Sequence, residues 1–338
     1  MRPRITEEEY DVVKKYRAIH DAAEEVGLDI NDTRGGWLKS EKASLFFSNP
    51  HYRQREKDIF KEQLLQEIRD YAPIYPIINR KKITDPHLLV IDPADIHVGK
   101  LSSYFETGES YDSDIAIQRV MEGVEGILEK AQPYNIEKIL FIGGNDVLHI
   151  DSPRRVTTSG TPQDTDGMWF ENFIKAKKMY VDVIEKLLTV ADVEFVYNPS
   201  NHDYTNGFFL CQVVHTHFSN NNNISFNTDL RHRKAYLYGE NMIGTTHGDG
   251  AKQQDLPLLM ATEFPLEWSK SKHRYIYTHH IHHKSSKDYA GVTVESLRSP
   301  SGTDSWHHRN GYQHAPKAVE GFIHHPSYGQ ICRISHIF

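Results

Sequence analysis

The sequence has little cysteine: its 338 residues include two, Cys211 and Cys332, far apart and outside any CxxC spacing. That excludes a disulfide framework and a thiolate zinc site, and fits a reducing compartment. No apolar run approaches the roughly 20 residues that a bilayer span requires, so no membrane partner is expected. The opening residues lack the basic, apolar and small-residue succession of a secretory leader, which makes the cytoplasm the expected location. Internal repeats and low-complexity tracts are missing too. So is any excess of positive charge: the formal net charge is −7. Such a chain is not a general polyanion binder, and any affinity for nucleic acid has to come from a local patch.

What the chain has in abundance is histidine, with 21 copies. Histidine is the commonest metal ligand and the readiest acid-base group near neutral pH. Its spacing decides between those uses and packing. The length suits one large α/β domain plus a small extra module. In residues 1–80, Thr6 and Glu9 form a capping box. Tyr10, Val13, Tyr16, Ile19 and Ala23 then trace a helical stripe to the stop at Gly27. Residues 54–71 read as a second amphipathic helix. Residues 22–40 loosely match a helix-turn-helix whose DNA-reading helix would start near Asn31, although Gly35-Gly36 weaken it. A partner-binding or dimerising module is the plainer reading, which leaves room for a homo-oligomer.

From residue 85 to 338 strands and helices alternate. Residues 88–92, 138–144, 193–199, 235–240, 241–248 and 274–280 read as strands, and 111–131 and 168–191 as helices. This rhythm is that of an α/β domain with a partly parallel sheet. Residues 150–167 read as a long loop, which in a compact domain points to function. Several strands end in ligand-type residues: Asp95 and His97, Asn145 and Asp146, Asn201 with His202 and Asp203, His247, and His280 with His282. In open α/β sheets ligands bind at that edge. Carboxylate, imidazole and amide donors without thiolate suit Mn, Zn, Fe or Ni. They are too many for one tetrahedral ion, and a shared carboxylate would let two ions sit about 3.5–4 Å apart, acidify a water and stabilise in-line displacement at phosphorus.

These motifs, in this order, resemble the calcineurin-like metallophosphoesterases: Asp95-Ile96-His97, Asn145-Asp146, Ser200-Asn201-His202-Asp203, His247-Gly248 and His280-Ile281-His282. The resemblance spans roughly residues 87 to 283. It implies an α/β four-layer sandwich of two mixed β-sheets flanked by helices, here with a small helical N-terminal domain. It also implies that Asp95, His97 and His282 hold one metal, that Asn201, His247 and His280 hold a second, and that Asp146 bridges them. The cofactor would be two divalent ions, with Mn preferred over Zn, Fe or Ni. His202 would face the phosphate as the catalytic imidazole, and Asp203 would orient it. Three glycines of the family pattern are replaced, by Asn145, Ser200 and His279.

The implied activity is phosphoester hydrolysis, foremost as a phosphodiesterase or nuclease on nucleic acid. Residues 299–312 are similar to a tail of phage-type members, for which the compartment would be the bacterial host's cytoplasm. A phosphomonoesterase or nucleotide phosphodiesterase is one alternative, and a metal-stabilised binding protein another. Arg154 and Arg155 are candidate phosphate contacts on the long loop, where solvated charge is the commoner role. His307 could return from the tail to line the site. His279 and His283 alternate with the His-x-His pair and so face away on a strand, in packing or surface roles. His215 and His217 lie two apart on a helix and share no face, which excludes a second metal site there.

Overall fold

The computed structural model describes residues 7–25, 34–39, 44–49 and 73–338. It forms two compact units, one up to Tyr71 and one from Ala72. In the first, α1 spans Glu7–Glu25. Strands β1 (Gly35–Lys39) and β2 (Ser44–Ser48) make an antiparallel hairpin. The hairpin stands where the loose helix-turn-helix match would have carried a DNA-reading helix on from Asn31, and it adds two strands to a module expected to be helical. The physical reason is local. Two glycines cost about 1 kcal/mol each inside a helix, Gly35 takes φ 146, and Trp37 stands opposite Phe46 with ring centroids 5.4 Å apart. Such aromatic cross-strand pairs favour strands. The expected helix at 54–71 and the start of the motif at Asn31 lie outside the described residues.

The larger unit begins earlier than residue 85. The Tyr75 ring stacks on Phe218 at 5.3 Å, and Arg80 donates to Asp192 at 2.9 Å. The chain then lays down β3 (His87–Asp92), α2 (Tyr104–Thr107), α3 (Ser113–Ala131), β4 (Ile136–Gly144), α4 (Trp169–Leu188), β5 (Asp192–Asn198), α5 (Tyr204–His217), β6 (Ile224–Asn227), β7 (Arg233–Tyr238) and β8 (Asn241–Thr246). The remainder is α6 (Leu256–Glu263), α7 (Pro265–Lys270), β9 (His273–Thr278), β10 (Ser285–Tyr289), β11 (Val292–Ser296), α8 (Ser305–Arg309), β12 (Ala318–His325) and β13 (Gly329–Ile337).

One sheet runs β13-β12-β3-β4-β5-β6 and the other β10-β11-β9-β8-β7. Both are mixed. In the first, β3, β4, β5 and β6 are mutually parallel while β12 and β13 run against their neighbours. In the second, β8, β9 and β11 are parallel and the edges antiparallel.

Strand alternation builds the layers. On β3 and β4, Leu89, Ile91, Ile139 and Phe141 pack against α3, α4 and α5 through Val124, Ile184 and Leu210. Their neighbours Leu88, Val90, Leu140 and Ile142 turn the other way, to meet Ile243 and Tyr277 of the second sheet. On that sheet Met242 and Ile276 face outward to Leu256 and Met260 of α6. The result is four layers: helices, sheet, sheet, helices. Helix α3 starts where the Asp112 side chain accepts from the amides of Asp114 and Ile115, a direct N-cap. This packing brings the C-terminal ends of β3, β4 and β5 up to those of β8 and β9.

Candidate metal centre

Five strand ends converge at one place. Asp95 and His97 follow β3, Asp146 follows β4, Asn201 and His202 follow β5, His247 follows β8, and His280 and His282 follow β9. The ligand atoms of Asp95, His97 and His282 lie within 4.8 Å of one another, as do those of Asp146, His247 and His280. In the first group the Nε2 atoms of His97 and His282 are 3.2 Å apart, and His282 Nε2 is 3.6 Å from Asp95 Oδ1. In the second, His247 Nε2 is 3.2 Å from Asp146 Oδ2 and 2.9 Å from Asn201 Oδ1. Asp146 Oδ2 also reaches 4.0 Å from His97 Nε2, so this carboxylate stands between the two groups.

The backbone here is unusual. Of nine non-glycine residues with positive φ among the described residues, six are Asp95, His97, Asn145, Asp146, His280 and His282. Each such residue costs about 1 kcal/mol or more and persists only where its surroundings enforce it. The sheet-end turn after β4 shows how. Gly144 takes φ 78, and a Cβ there would lie 2.2 Å from the Asn198 carbonyl oxygen. The Asn145 amide donates to that same oxygen at 3.0 Å. The departures from the family's glycines are also accounted for. Asn tolerates positive φ, and Asn145 uses it, at φ 52. The Ser200 hydroxyl accepts from the Asp146 amide and donates to Asp203, both at 2.7 Å. His279 is buried, its Nε2 2.9 Å from Asp92 Oδ2 and its Nδ1 3.1 Å from the Thr246 carbonyl oxygen. That is a packing role, while His283 is exposed.

Electrostatics follow burial. Burial drives His97 and His282 well below the usual imidazole range, helped by neighbouring imidazoles for His97 and by Lys100 for His282. Burial likewise lifts the Asp95 carboxyl to about 7, against the pull of His247. Burial would also lift Asp146, but His247 and His202 reverse this and hold it well below its normal value. His247 is desolvated, yet Asp146 raises it to about 9.

His202 is placed by its own backbone. Its amide donates to Asp146 Oδ1 at 2.9 Å, and its Nδ1 donates to the His149 carbonyl oxygen at 2.9 Å. A carbonyl only accepts, so Nδ1 carries the hydrogen and Nε2 is left to exchange protons. The expectation that Asp203 holds this ring is corrected. Asp203 is fully buried and accepts from the Leu148 amide at 2.8 Å and from Ser200. Its carboxylate is occupied in fixing the two turns beneath, because the β4 exit loop offers it an unpaired amide there. Burial lifts it to about 7, with Asp146 adding to the rise.

The other expected contacts separate. Arg154 and Arg155 are exposed. Between their loop and α5 it is Asp151 that acts, accepting from the Thr205 and Asn206 amides at the helix start. His307 does return: its ring stacks on His282 with centroids 5.0 Å apart and planes 18° apart. Its Nδ1 sits 2.7 Å from Asp304 Oδ1. Asp304 also pairs with Lys100, which is 1% exposed, at 2.8 Å.

Two site residues escaped the reading of the sequence. One is Lys100. The other is His149, buried, with Nδ1 3.3 Å from His97 Nδ1 and its ring stacked on His202 at 5.3 Å. The available signal for His149 was its place three residues beyond Asp146, in the same strand-exit loop. With His97 and His202 it forms a third group of converging ligand atoms.

The donor set fits divalent cations. Two buried imidazole nitrogens facing each other at 3.2 Å have one hydrogen at most to share, while a metal ion held at about 2.1 Å by nitrogen and oxygen ligands sets those ligands about 3–3.4 Å apart. The groups around Asp95 and Asp146 are those that could hold such ions.

Neither a family model nor a curated protein sequence matches the chain. Solved structures similar to it include an archaeal phosphodiesterase, at 9% identity and TM-score 0.35, covering 75% of this chain and 99% of that one. Another is Vps29 from Entamoeba histolytica, at 15% identity and TM-score 0.34, covering 74% and 99%. A third is a predicted phosphoesterase from Streptococcus pneumoniae, at 12% identity and TM-score 0.27, covering 75% and 98%. At such scores the likeness carries no weight for the chemistry, which rests on the chain's own residues. No helix among the described residues is long and apolar enough to cross a membrane.

Proposed function

We propose that this chain is a metal-dependent phosphoester hydrolase, acting on phosphodiesters. The observation that carries the reading is the position of Asp146, one carboxylate oxygen lying 3.2 Å from His247 Nε2 and 4.0 Å from His97 Nε2. Asp95, His97 and His282 would hold one divalent ion and Asn201, His247 and His280 another, with Asp146 shared. When bound, the pair supplies Lewis acidity toward phosphoryl oxygens and makes water acidic enough to attack at neutral pH.

The protein's own contribution is placement and proton handling. Asp146 is fixed on both sides, its amide by Ser200 and its Oδ1 by the His202 amide. His202 is held through Nδ1; when Nε2 carries a proton as well, that N–H would donate to a phosphoryl oxygen and pass its proton to the departing ester oxygen, after which Nε2 would be free to take one from water. As water attacks phosphorus and the ester P–O bond breaks, a proton has to reach the leaving oxygen. An imidazole in hydrogen-bond reach speeds such a step by about 10²–10⁴-fold. His149 fixes the second nitrogen of His97 and carries the carbonyl that orients His202.

The test is hydrolysis of a small phosphodiester, a phosphomonoester and DNA after chelator treatment and after adding back Mn, alongside counting metal ions per chain. Diester hydrolysis that needs metal, falls on the order of 10³-fold in Asp146→Asn and falls about 10²-fold or more in His202→Ala with metal content retained is the expected result. Monoester hydrolysis alone would replace the diester assignment. Two bound ions with no turnover would make the chain a metal-stabilised binding protein.

A further inference from the structure

Segment 299–317 is held at both ends, the Ala318 amide donating to the Ser299 carbonyl oxygen at 3.1 Å and the Phe338 amide to that of Lys317 at 3.0 Å, and is exposed between them at residues 308–312. Ser299 donates to the Asp95 carbonyl oxygen at 2.7 Å, and the Ser301 amide donates back to the Ser299 hydroxyl. The Thr303 amide donates to Glu109 at 3.0 Å, and its carbonyl accepts from Ser102. Asp304 then pairs with buried Lys100, caps α8 by accepting from the His307 amide at 2.8 Å, and holds the His307 ring. On this locked base stand two large aromatic rings facing water: Trp306 is 60% and Tyr312 58% exposed. Their centroids are 5.8 Å apart. Trp306 also meets His307 at 5.1 Å, and His307 stacks on the candidate ligand His282. A contiguous run of rings therefore leads from the metal centre to the surface.

The charge of the segment is as particular as its shape. Between Asp304 and Glu320 there is no acidic residue, while the cations Arg309 and Lys317 fall in that span together with the imidazoles of His307, His308 and His314, in a chain whose formal net charge, with histidine neutral, is −7. Arg309, His308 and His314 are exposed. A single exposed ring is ordinary, whereas rings in contact at the surface form a contiguous patch of the kind that marks an interaction site. Aromatic faces interleaved with basic groups are what a single-stranded nucleic acid meets on its binding proteins, where bases stack and phosphates are neutralised. A duplex keeps its bases stacked on one another and offers no face to Trp306.

We propose that Trp306 and Tyr312 form a base-stacking platform that feeds single-stranded nucleic acid to the metal centre. This rests on the phosphodiesterase reading for its outcome but not for its test. Binding is measured by fluorescence anisotropy of a labelled 12-nucleotide single strand and of the matching duplex, with the full chain in chelator so that no turnover enters. The single strand should bind more tightly than the duplex. Trp306→Ala and Tyr312→Ala should each weaken it about 10-fold or more, the effect of losing one stacked ring, while Trp306→Phe keeps most of the affinity. With metal restored, hydrolysis of a small chromogenic phosphodiester should be unchanged in all three. Equal binding by Trp306→Ala and wild type, or a preference for duplex, would overturn the proposal. So would a change of self-association in sedimentation velocity with strand binding intact, which would give these rings to a protein contact. Strand binding through the rings without hydrolysis of any ester would leave the platform standing and remove the reading of the centre.

Discussion

Two buried polar regions lie on the same pair of sheets, and they are built on opposite principles. Between the sheets, groups of opposite kind are set together, although His324 Nδ1 is left without a partner. The Tyr277 hydroxyl contacts His324 Nε2 at 3.1 Å and donates to Gln330 at 3.0 Å. Arg298 donates to buried Glu320 at 2.7 Å, and Arg333 sits against Glu295 and Glu320. The strands that carry these groups contain no non-glycine residue with positive φ. At the strand exits, like meets like. Imidazole nitrogens of His97 face those of His282 and His149 at 3.2 and 3.3 Å, and five left-handed residues, Asp95, His97, Asp146, His280 and His282, carry carboxylates and rings. Left to itself, such a cluster strains, so anchors outside it have to hold it in place, and the cations proposed above would add to them. The difference between the regions is that between polar groups that hold a fold together and polar groups that the fold holds in place.

The strongest test of that contrast falls on an anchor. Lys100 is almost wholly buried and Asp304 largely so, with 17% of its side chain exposed. Burial lowers the Lys100 ammonium, and the Asp304 partner opposes that. Lys100→Met would strand Asp304 without its cation, and breaking a buried pair by removing one member costs about 3–5 kcal/mol. Urea unfolding should show a loss of that order, with the tail segment becoming open to protease. Unchanged stability would mean that the site is not held by its surroundings in the way argued above. A smaller effect is expected one step from the ligands. His149→Ala removes the group that fixes the far nitrogen of His97, and such loss typically weakens metal affinity about 10–100-fold. Competition against a chromogenic chelator reads this directly. The same titration on His324→Gln should give the wild-type affinity, and a matching loss in both variants would erase the distinction between the two regions.

How much of this was legible beforehand follows the same division. The strands and long helices of the larger unit could be read because apolar alternation at period 2 and 3.6 writes them locally. The cluster at their ends was legible because ligand-type residues recur just past each strand. What stayed hidden depends on contacts distant in sequence. Lys100 looks like any loop lysine until Asp304, some two hundred residues on, buries it. His149 shows no motif of its own. The His202 ring is held by a backbone carbonyl, which no side-chain identity announces, while Asp203, its apparent partner by adjacency, turns to Leu148 and Ser200. In the N-terminal unit Gly35-Gly36, which already weakened the helix-turn-helix match, open a strand instead, and the Trp37–Phe46 pair across it depends on a partner strand that the spacing does not announce.

The inter-sheet region makes a prediction of its own, smaller and with a definite sign. Burial pushes the His324 imidazole down to about 3 from its ordinary 6.5, with His273 adding to the effect. The folded chain therefore refuses a proton that the unfolded chain accepts between those values. Above pH 6.5 neither state is protonated at this group and its full contribution is present. As pH falls from 6.5 toward 3, the unfolded state gains a proton and the folded state does not, so stability declines by about 1.4 kcal/mol per pH unit. Other buried histidines add their own slopes, so the informative quantity is a difference. Urea unfolding of wild type and of His324→Gln, from pH 4.5 to 7.5 at fixed metal, should show the wild type losing stability more steeply by the equivalent of one proton. Glutamine can keep a hydrogen bond to Tyr277 and has nothing to titrate. Parallel curves would mean that His324 picks up its proton in the folded state, and that the layer between the sheets is wetter than its packing implies.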